Sequence, residues 1–392
     1  MKTSVVCYSL LWLLILCTAG YNADAQHVLT LRVTAVPTLH KEDPIYVAGS
    51  FNGWNPGDKN YQLQRKNGKL ELSLNLKGAA YEFKFTRGAW DKAGVAADGA
   101  DLPNNLVKLY SDTTLSFGIE AWKDDFGVVE RRHTASSNVF LMDSAFLIPQ
   151  LGRTRRIWIY LPASYKTSTK RYPVLYMQDG QNLFDEYTAG FGEWGIDECL
   201  DSIMQKGKNE CIVVGIDNGS RRLNEYNPFD NERFGKGEGD AYAAFMVNTL
   251  KPLVDGQYRT LRDKNNTMVA GSSMGGLISY YTQLKYPDVF GRSGIFSPAF
   301  WTAPAIVPLT DSLAKYSNGK YFFYMGGLEG AEYMNDMYEV IQRLGTKSTA
   351  LIYSLTDPEG RHNEASWRKW FPEFFRFITA DWSNYLIKQE ED

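Results

Sequence analysis

The chain has 392 residues, enough for two domains, and 44% of them are hydrophobic, as in an ordinary globular protein with a sizeable core. Its 42 basic and 45 acidic residues leave a formal net charge of −3. Since binding to a phosphate backbone requires a surplus of positive charge, this composition argues against a nucleic-acid partner.

The first 25 residues have the pattern of a cleaved secretory signal peptide. Lys2 provides a positive start, residues 5–17 are apolar and almost uncharged, and Ala-Asp-Ala at 23–25 offers small residues for cleavage. The apolar run is too short for a membrane span, and no later segment is long and apolar enough for one. A lipoprotein anchor at Cys17 is disfavoured, because such sites need a small residue where Leu16 stands. We therefore expect export to the periplasm or the medium.

Two of the 4 cysteines, Cys199 and Cys211, lie outside the predicted signal peptide. An oxidising compartment would permit a disulfide between them. Two buried free thiols are the alternative, and the sequence does not decide between the two.

Residues 26–122 contain short β-rich runs separated by turns. These runs occupy residues 28–33, 45–48, 70–76 and 81–85. Asn-Gly pairs between them are turn signals. A segment of this length and pattern predicts a small all-β sandwich of the immunoglobulin type. The charged and polar residues 123–137 then predict an exposed linker.

From residue 138 to residue 392, apolar strand-like runs alternate with longer helical stretches. The apolar runs occupy residues 156–161, 174–177, 211–216, 267–270, 321–325 and 351–355. Near-continuous hydrophobic runs of this kind are typical of parallel strands that are covered by helices on both faces. The order predicts a doubly wound α/β domain.

The strongest local motif is Gly-Ser-Ser-Met-Gly at residues 271–275. It follows a strand-like run and precedes residues 277–281, which can form a helix. Strand, G-x-S-x-G and helix make up the nucleophile elbow of α/β-hydrolases, in which the turn is too tight for side chains at the flanking positions. We therefore predict that Ser273 is a nucleophile and that the N–H of Met274 is one donor of an oxyanion hole.

A serine hydroxyl needs a general base to become a nucleophile. Of the 4 histidines, His27 and His40 fall in the β region and His133 in the predicted linker. Only His362 lies in the α/β region, in a loop after the last predicted strand, where this fold carries its base. By elimination and by chain order, His362 is the predicted base.

The acidic member of such a triad comes between the serine and the histidine in the chain, after a strand. Glu329 follows the predicted strand at 321–325 directly and is the best placed. Glu332 and Asp336 are the alternatives.

Two loops after predicted strands are candidates for binding substrate. The second oxyanion donor is expected from Gln-Asp-Gly-Gln-Asn at 178–182, where glycine lets the backbone approach a ligand closely. The polar loop at 218–227 lies at the edge where such sheets bind ligands, although solvated or structural side chains are the alternative. The candidate substrate contacts in this loop are Arg222 and Tyr226, and Trp194 and Trp301, elsewhere in the chain, are candidate pocket walls for which core packing is the alternative. Because no cluster of His, Cys and carboxylate residues shows ligand spacing, neither a metal nor a cofactor is expected.

The α/β region resembles the "putative esterase" family of α/β-hydrolases. The motifs that carry the resemblance are Tyr-Pro-Val-Leu-Tyr-Met-Gln-Asp-Gly at 172–180, Gly-Ser-Ser-Met-Gly-Gly at 271–276, Gly-Gly-Leu-Glu at 326–329 and Gly-Arg-His at 360–362. The family includes feruloyl and acetyl-xylan esterases, enterochelin-type trilactone esterases, S-formylglutathione hydrolases and mycolyltransferases.

This resemblance implies a Ser273, Glu329 and His362 triad, and it makes Gln181 the second oxyanion donor. The chain departs from the pattern at two positions. Many members have Asp where Glu329 stands, although others use Glu, and most have Gly directly before the histidine, where this chain has Arg361.

The β region resembles starch- and glycogen-binding modules, beginning with Tyr-Val-Ala-Gly-Ser-Phe-Asn-Gly-Trp-Asn at 46–55. In members that bind α-glucans, the positions that match Trp54, Lys84, Trp90 and Asn105 line the sugar surface. The same signature occurs in modules that bind no sugar, so glycan binding and a structural role both stay open.

Together these patterns predict a secreted serine carboxylic-ester hydrolase that works through an acyl-enzyme. A feruloyl or acetyl group on a polysaccharide or oligosaccharide is the first expected substrate. A siderophore trilactone esterase is an alternative, because such relatives also carry an N-terminal β domain. Acyl transfer to a sugar, and a non-catalytic glycan-binding protein, are the others.

Overall fold

The structure is a computed structural model that describes residues 26–380, except residues 67, 78, 127–131, 205–208 and 233. The predicted signal peptide at residues 1–25 lies outside the described residues. The chain divides into two compact units between residues 130 and 131, within the predicted linker. Among the helices that are described, none combines the length and apolar character needed to cross a bilayer.

The first unit is built from β-strands, as predicted. Its strands are β1 (Gln26–Ala35), β2 (Tyr46–Gly49), β3 (Gln64–Lys66), β4 (Lys69–Lys77), β5 (Ala79–Thr86), β6 (Gly94–Val95), β7 (Asn105–Leu109), β8 (Thr113–Gly118) and β9 (Ala121–Trp122). One sheet has the order β3-β4-β1-β8, a second has the order β2-β5-β7, and β6 pairs with β9. Alternate residues of β1, such as Leu29 and Leu31, are fully buried and share one core with Phe83 of β5 and Trp122. The period of two in the sequence therefore reflects strands with one buried face.

The second unit contains an eight-stranded sheet. Its strands are β10 (Val139–Ile148), β11 (Arg153–Tyr160), β12 (Val174–Gln178), β13 (Ile212–Ile216), β14 (Thr267–Ser272), β15 (Arg292–Phe296), β16 (Lys320–Gly326) and β17 (Leu351–Asp357). The order is β10-β11-β13-β12-β14-β15-β16-β17. From β13 to β17 every neighbouring pair is parallel, whereas β10 and β11 are antiparallel.

Helices cover both faces of this sheet. They are α1 (Ile196–Met204), α2 (Arg222–Glu225), α3 (Gly239–Phe245), α4 (Lys251–Gln257), α5 (Met274–Lys285), α6 (Ile306–Leu313), α7 (Ala331–Lys347) and α8 (Glu364–Thr379), and a π-helical turn (Met246–Leu250) joins α3 to α4. Along β12, Val174 and Tyr176 pack in one hydrophobic core with α3 to α7, while Leu175 and Met177 pack in another with α1 and α8. Both faces of the sheet are thus buried, which explains the near-continuous apolar runs in the sequence. This confirms the doubly wound α/β prediction.

In the second unit two strands, β10 and β15, were not predicted from the sequence, and in the first unit the runs at 28–33, 45–48, 70–76 and 81–85 left out five short strands, β3, β6, β7, β8 and β9. Strand β15 contains Gly294, where a Cβ would lie 2.5 Å from the ring of Phe374 on α8. Phe374 is fully buried, and truncating such a ring to alanine costs about 3–5 kcal/mol. The glycine therefore lets α8 pack directly on the sheet, although it weakens the strand pattern in the sequence.

The residues that follow the unit boundary do not form a free connector. The backbone N–H of Thr134 donates to Asp185 (3.0 Å), and the N–H of Ser136 donates to Asp197 (2.6 Å). Part of the predicted linker is therefore attached to the second unit by hydrogen bonds.

Candidate active site

Ser273 lies in a sharp turn between β14 and α5. Its backbone angles, φ 57° and ψ −121°, belong to a region that residues with a side chain rarely adopt. A Cβ at Gly271 would lie 2.7 Å from the carbonyl oxygen of Gly275, so the turn requires glycine at that position. This strained strand–turn–helix geometry is that of a nucleophile elbow.

The loop that follows β15 holds the strained residue in place. The N–H of Ser273 donates to the carbonyl of Phe296 (2.9 Å), and its own carbonyl accepts from the N–H of Ala299 (3.0 Å). Both backbone groups of Ser273 are thus hydrogen-bonded to one neighbouring segment, which offsets part of the strain.

Glu329 and His362 form a hydrogen-bonded pair. Glu329 lies in the loop after β16 with its side chain only 2% exposed, and its Oε2 lies 2.7 Å from Nδ1 of His362, which is 42% exposed. Its other oxygen, Oε1, accepts from the Ser297 hydroxyl (2.6 Å) and from the N–H of Gly326 (2.8 Å). A buried carboxylate with this many donors has a fixed orientation, and it in turn orients the imidazole.

The same strand ends bring this pair and the elbow together. Ser297, which donates to Glu329, directly follows Phe296, which accepts from Ser273. Strands β14, β15, β16 and β17 are neighbours in the sheet and run parallel, so the loops after them meet at one edge. Glu332 and Asp336, the alternative carboxylates, instead lie on α7.

The predicted oxyanion donors lie at the starts of two helical turns. Met274 is the first residue of α5, and the first N–H groups of a helix have no acceptor within it. Gln181 lies in a 3-10 turn (Gly180–Asn182), and its side-chain Oε1 accepts from the N–H of Asn218 (3.1 Å). A Cβ on Gly180 would lie 2.7 Å from the backbone of Gly215, so this loop also needs its glycine.

The structure corrects the prediction that Tyr226 contacts substrate. Tyr226 is fully buried, its ring centroid lies 5.0 Å from that of Tyr242, and its hydroxyl accepts from the N–H of Asp179 (3.4 Å). It therefore supports the predicted oxyanion loop (178–182) from inside the protein.

Arg222 is likewise engaged within the protein. Its Nε and Nη2 donate to the two carboxylate oxygens of Asp179, at 2.7 and 2.8 Å. Arg222 thus forms an internal bidentate ion pair next to the predicted oxyanion loop (178–182), and because its side chain is 26% exposed, the substrate contact stays a prediction.

The two predicted pocket tryptophans have different environments. Trp194 is 2% exposed, stacks on Trp367 (5.7 Å) and meets Phe296 edge to face (5.1 Å), so it belongs to the core and does not line an open pocket. Trp301 is 43% exposed on the 3-10 turn that follows Ala299, the residue bonded to Ser273. Trp301 therefore remains a candidate pocket wall.

Glu364, the first residue of α8, was missed in the sequence. Its buried carboxylate accepts from the side-chain amide of Asn182 (3.3 Å). Burial, and then the charge of Asp179, raise the pKa of Glu364 to about 7, while a backbone hydrogen bond and the charges of His362 and Arg222 oppose this shift. An acidic residue in the first turn of a helix is so common that it gives no functional signal.

In the first unit, two of the four predicted sugar-binding residues are neighbours. The rings of Trp54 and Trp90 lie 6.3 Å apart, and Trp90 is 36% exposed. Lys84 lies on β5 between the buried Phe83 and Phe85, so it points away from the core.

Asn105 does not join that surface. It pairs with Phe83 across β5 and β7, and its side-chain amide donates to the Phe83 carbonyl (3.3 Å). Because directly paired residues point to the same face of a sheet, Asn105 faces the side opposite to Lys84. This corrects the single four-residue sugar surface that the resemblance implies.

One group of carboxylates has the spacing of metal ligands, contrary to the sequence prediction. Oxygens of Glu193, Asp197 and Glu198 lie within 4.8 Å of one another, and among the described residues this is the one such group. Glu193 accepts from the Thr134 hydroxyl (3.0 Å), and Asp197 accepts from the N–H of Ser136 (2.6 Å). Three carboxylates at this spacing are not by themselves evidence of an ion, and we assign no metal to the group. Cys199 and Cys211 are free thiols, so no disulfide joins them.

Comparisons with known proteins agree with this geometry. A family profile described as "Putative esterase" matches residues 148–378. The uncharacterized protein YbbA of Bacillus subtilis is 31% identical over 213 residues, which are 53% of this chain and 79% of that protein. The endo-1,4-beta-xylanase/feruloyl esterase of Xylanibacter ruminicola is 26% identical over 223 residues, or 56% of this chain but 28% of that longer protein.

A solved structure is similar over most of the chain. The enterobactin esterase FES of Shigella flexneri has a TM-score of 0.51 and 14% identity, over 92% of this chain and 93% of its own. At this identity the similarity concerns the fold, and it supports an α/β-hydrolase-like second unit.

Proposed function

Because the chain belongs to the "putative esterase" family and is an esterase, we propose that it hydrolyses carboxylic esters with Ser273, His362 and Glu329 as its catalytic triad. The observation that carries the proposal is the 2.7 Å bond from His362 Nδ1 to the buried Glu329, next to the strained elbow of Ser273. The bond fixes the imidazole with Nε2 as the atom that can take a proton.

In the proposed reaction, Ser273 Oγ attacks the ester carbonyl while His362 Nε2 takes the hydroxyl proton. Glu329 stabilises the imidazolium, and the N–H groups of Met274 and Gln181 stabilise the oxyanion. The tetrahedral intermediate collapses to an acyl-enzyme, and His362 returns its proton to the leaving alcohol. Water then attacks the acyl-enzyme by the same steps, which releases the acid and restores Ser273.

A feruloyl or acetyl group on a polysaccharide is the proposed substrate. It is supported by the similarity to a protein named as a xylanase and feruloyl esterase, and by the exposed ring of Trp301 close to the elbow. The second candidate is a siderophore trilactone, supported by the similarity in fold to an enterobactin esterase over both units.

Two further parts of the proposal rest on the sequence. The pattern of residues 1–25 supports export with cleavage before Gln26, which the mass of the protein recovered outside the cytoplasm would test. In the first unit, Trp54 and Trp90 support sugar stacking, which predicts that Trp90→Ala weakens retention on an immobilised α-glucan.

The experiment compares the purified protein with its Ser273→Ala variant on p-nitrophenyl acetate, methyl ferulate, acetylated xylan and a catecholate trilactone. Ser312→Ala is the matched control, because its hydroxyl donates to Pro308 on the exposed side of α6. Turnover by the parent and the control, lost in Ser273→Ala, would establish the nucleophile, and the preferred ester would identify the substrate class. Equal activity in all three proteins would overturn the triad.

A further inference from the structure

We propose that Arg222 is a positioning residue of the reaction, which holds the oxyanion loop against the nucleophile elbow through Asp179. The inference rests on the proposed function, because it assigns a task within the same site. It differs from the substrate contact that the sequence indicated for Arg222.

Asp179 needs such support because of its backbone. Its angles, φ 57° and ψ 48°, are left-handed, a conformation that Asp adopts more readily than most residues but that still costs free energy relative to an ordinary backbone. Arg222 forks onto both oxygens of Asp179, and the side-chain amide of Asn218 also donates to Oδ1 (2.6 Å). The side chain of Asp179 is only 8% exposed, so its charge requires this partner.

The same guanidinium reaches the elbow. Nη2 of Arg222 lies 3.5 Å from the carbonyl oxygen of Ser272, the residue before the nucleophile. A Cβ on Gly275 would lie 3.2 Å from Oδ2 of Asp179, so the carboxylate packs directly on the first turn of α5. Arg222 therefore touches both segments that carry the proposed oxyanion donors.

Arg222 is itself well anchored. It begins α2, its N–H donates to the carbonyl of Gly219 (3.0 Å), and its guanidinium lies 5.3 Å over the ring of the buried Tyr226. Helix α2 and the residue that caps it thus position both the guanidinium of Arg222 and the hydroxyl of Tyr226 against Asp179. Because an oxyanion hole acts only when its donors are pre-arranged, loosening Asp179 should weaken the transition state more than the bound substrate.

The test measures kcat and KM of Arg222→Ala and Arg222→Lys on p-nitrophenyl acetate, in the whole protein. We expect Arg222→Ala to lower kcat by about 100-fold with little change in KM, since removing an oxyanion donor costs about 10²–10³-fold. Added guanidinium, below denaturing concentrations, should restore part of that loss. Arg222→Lys should stay impaired, because an ammonium cannot bind both oxygens of Asp179.

Arg343→Ala is the matched control, because Arg343 on α7 forms an ion pair with Asp311 (3.0 Å) at 43% exposure. It should keep its kcat and show no response to guanidinium. A raised KM with unchanged kcat in the Arg222 variants would overturn the inference in favour of a substrate contact. Unchanged kinetics, or a loss that guanidinium does not restore, would also overturn it.

Amide hydrogen exchange separates this inference from the proposed function. The measurement uses Arg222→Lys, which preserves the positive charge and is the variant to rely on if Arg222→Ala does not fold. In this variant we expect faster exchange confined to residues 179–182 and 272–275. Exchange that is unchanged there, or accelerated throughout the second unit, would contradict a positioning role. If the unaltered protein hydrolysed none of the esters, the proposed function would fail, while the exchange data would still decide whether Arg222 holds the two segments.

Discussion

Two pairs of histidine and carboxylate in the second unit have almost the same geometry. Nδ1 of His362 lies 2.7 Å from Glu329, and Nδ1 of His133 lies 2.8 Å from Asp185. The histidines differ in surroundings, because His133 is 69% exposed and stacks at 4.1 Å on Tyr187, which is also exposed.

The carboxylates differ in what they connect. Glu329 is bonded to Ser297, in the loop that also holds the nucleophile elbow. Asp185 accepts from the backbone N–H of Thr134, and so attaches the segment after the unit boundary to a loop. Burial opposes the shift, but the His133 and backbone hydrogen bonds lower the pKa of Asp185. An imidazole–carboxylate bond is thus not sufficient evidence of catalysis, and its connection to the elbow is what distinguishes the first pair.

The largest expected effect separates the two histidines. His362→Ala should lower kcat on p-nitrophenyl acetate by about 10⁴-fold or more, because the serine loses its proton acceptor. His133→Ala should leave kcat within about twofold, as for a surface side chain outside the site. Steady-state kinetics of both variants checks this, and a comparable loss in His133→Ala would remove the distinction.

The two carboxylates should differ in the same direction. Glu329→Gln is expected to lower kcat by about 10²–10⁴-fold, because a neutral amide neither stabilises the imidazolium nor fixes the tautomer. Asp185→Asn should keep its kcat and lose about 1 kcal/mol of unfolding free energy, as for a typical lost hydrogen bond. Kinetics and urea unfolding of the two variants provide the measurements, and similar kcat values would refute the assignment of Glu329.

Near the first pair, Glu364 should make stability depend on pH. Its pKa is raised from 4.5 to about 7, so the folded protein binds a proton that the unfolded chain releases. Stability should therefore fall as the pH rises from about 4.5 to about 7, by about 3 kcal/mol in total, and remain lower above that range.

Glu364→Gln removes that cost, and it should raise Tm at about pH 8.5 but not at about pH 4. Glu359→Gln, at an exposed position, is the control and should show no such difference. Thermal unfolding at both pH values tests the sign, and an equal shift at both would exclude a titrating Glu364 as its source.

The smallest expected effect concerns Ser297, which links the Glu329–His362 pair to the segment that holds the turn at Ser273. Ser297→Ala removes one donor to Glu329 and should lower kcat by about tenfold, since a hydrogen bond to a charged group contributes about 1.5–3 kcal/mol. Ser317→Ala, which removes another buried hydroxyl bonded to Tyr321, should lower Tm without lowering kcat. A purely thermal effect in both variants would show that Ser297 does not act through Glu329.

The elbow could be predicted because its requirements are local. Gly271 and Gly275 flank Ser273 within five residues, and the tight turn that needs them is read directly from their spacing. His362 could be singled out as the candidate base because the chain has only 4 histidines, and its pairing with Glu329 agrees with that prediction. Strand β15 could not be predicted, because Gly294 weakens its hydrophobic pattern. The glycine is required by the ring of Phe374, which lies 80 residues away in the chain.

The sequence by itself determined the two-part organisation, the alternating strands and helices of the second part, and the position of the tight turn that carries Ser273. Hydrophobic periodicity and tight-turn glycines act between near neighbours in the chain, so a linear pattern records them. Only the tertiary structure decided that Trp194 and Tyr226 are buried, that Trp301 is exposed, and that Arg222 binds Asp179. An aromatic or charged side chain has the same local pattern in either environment, because its burial depends on segments that are distant in sequence and meet only in the folded protein.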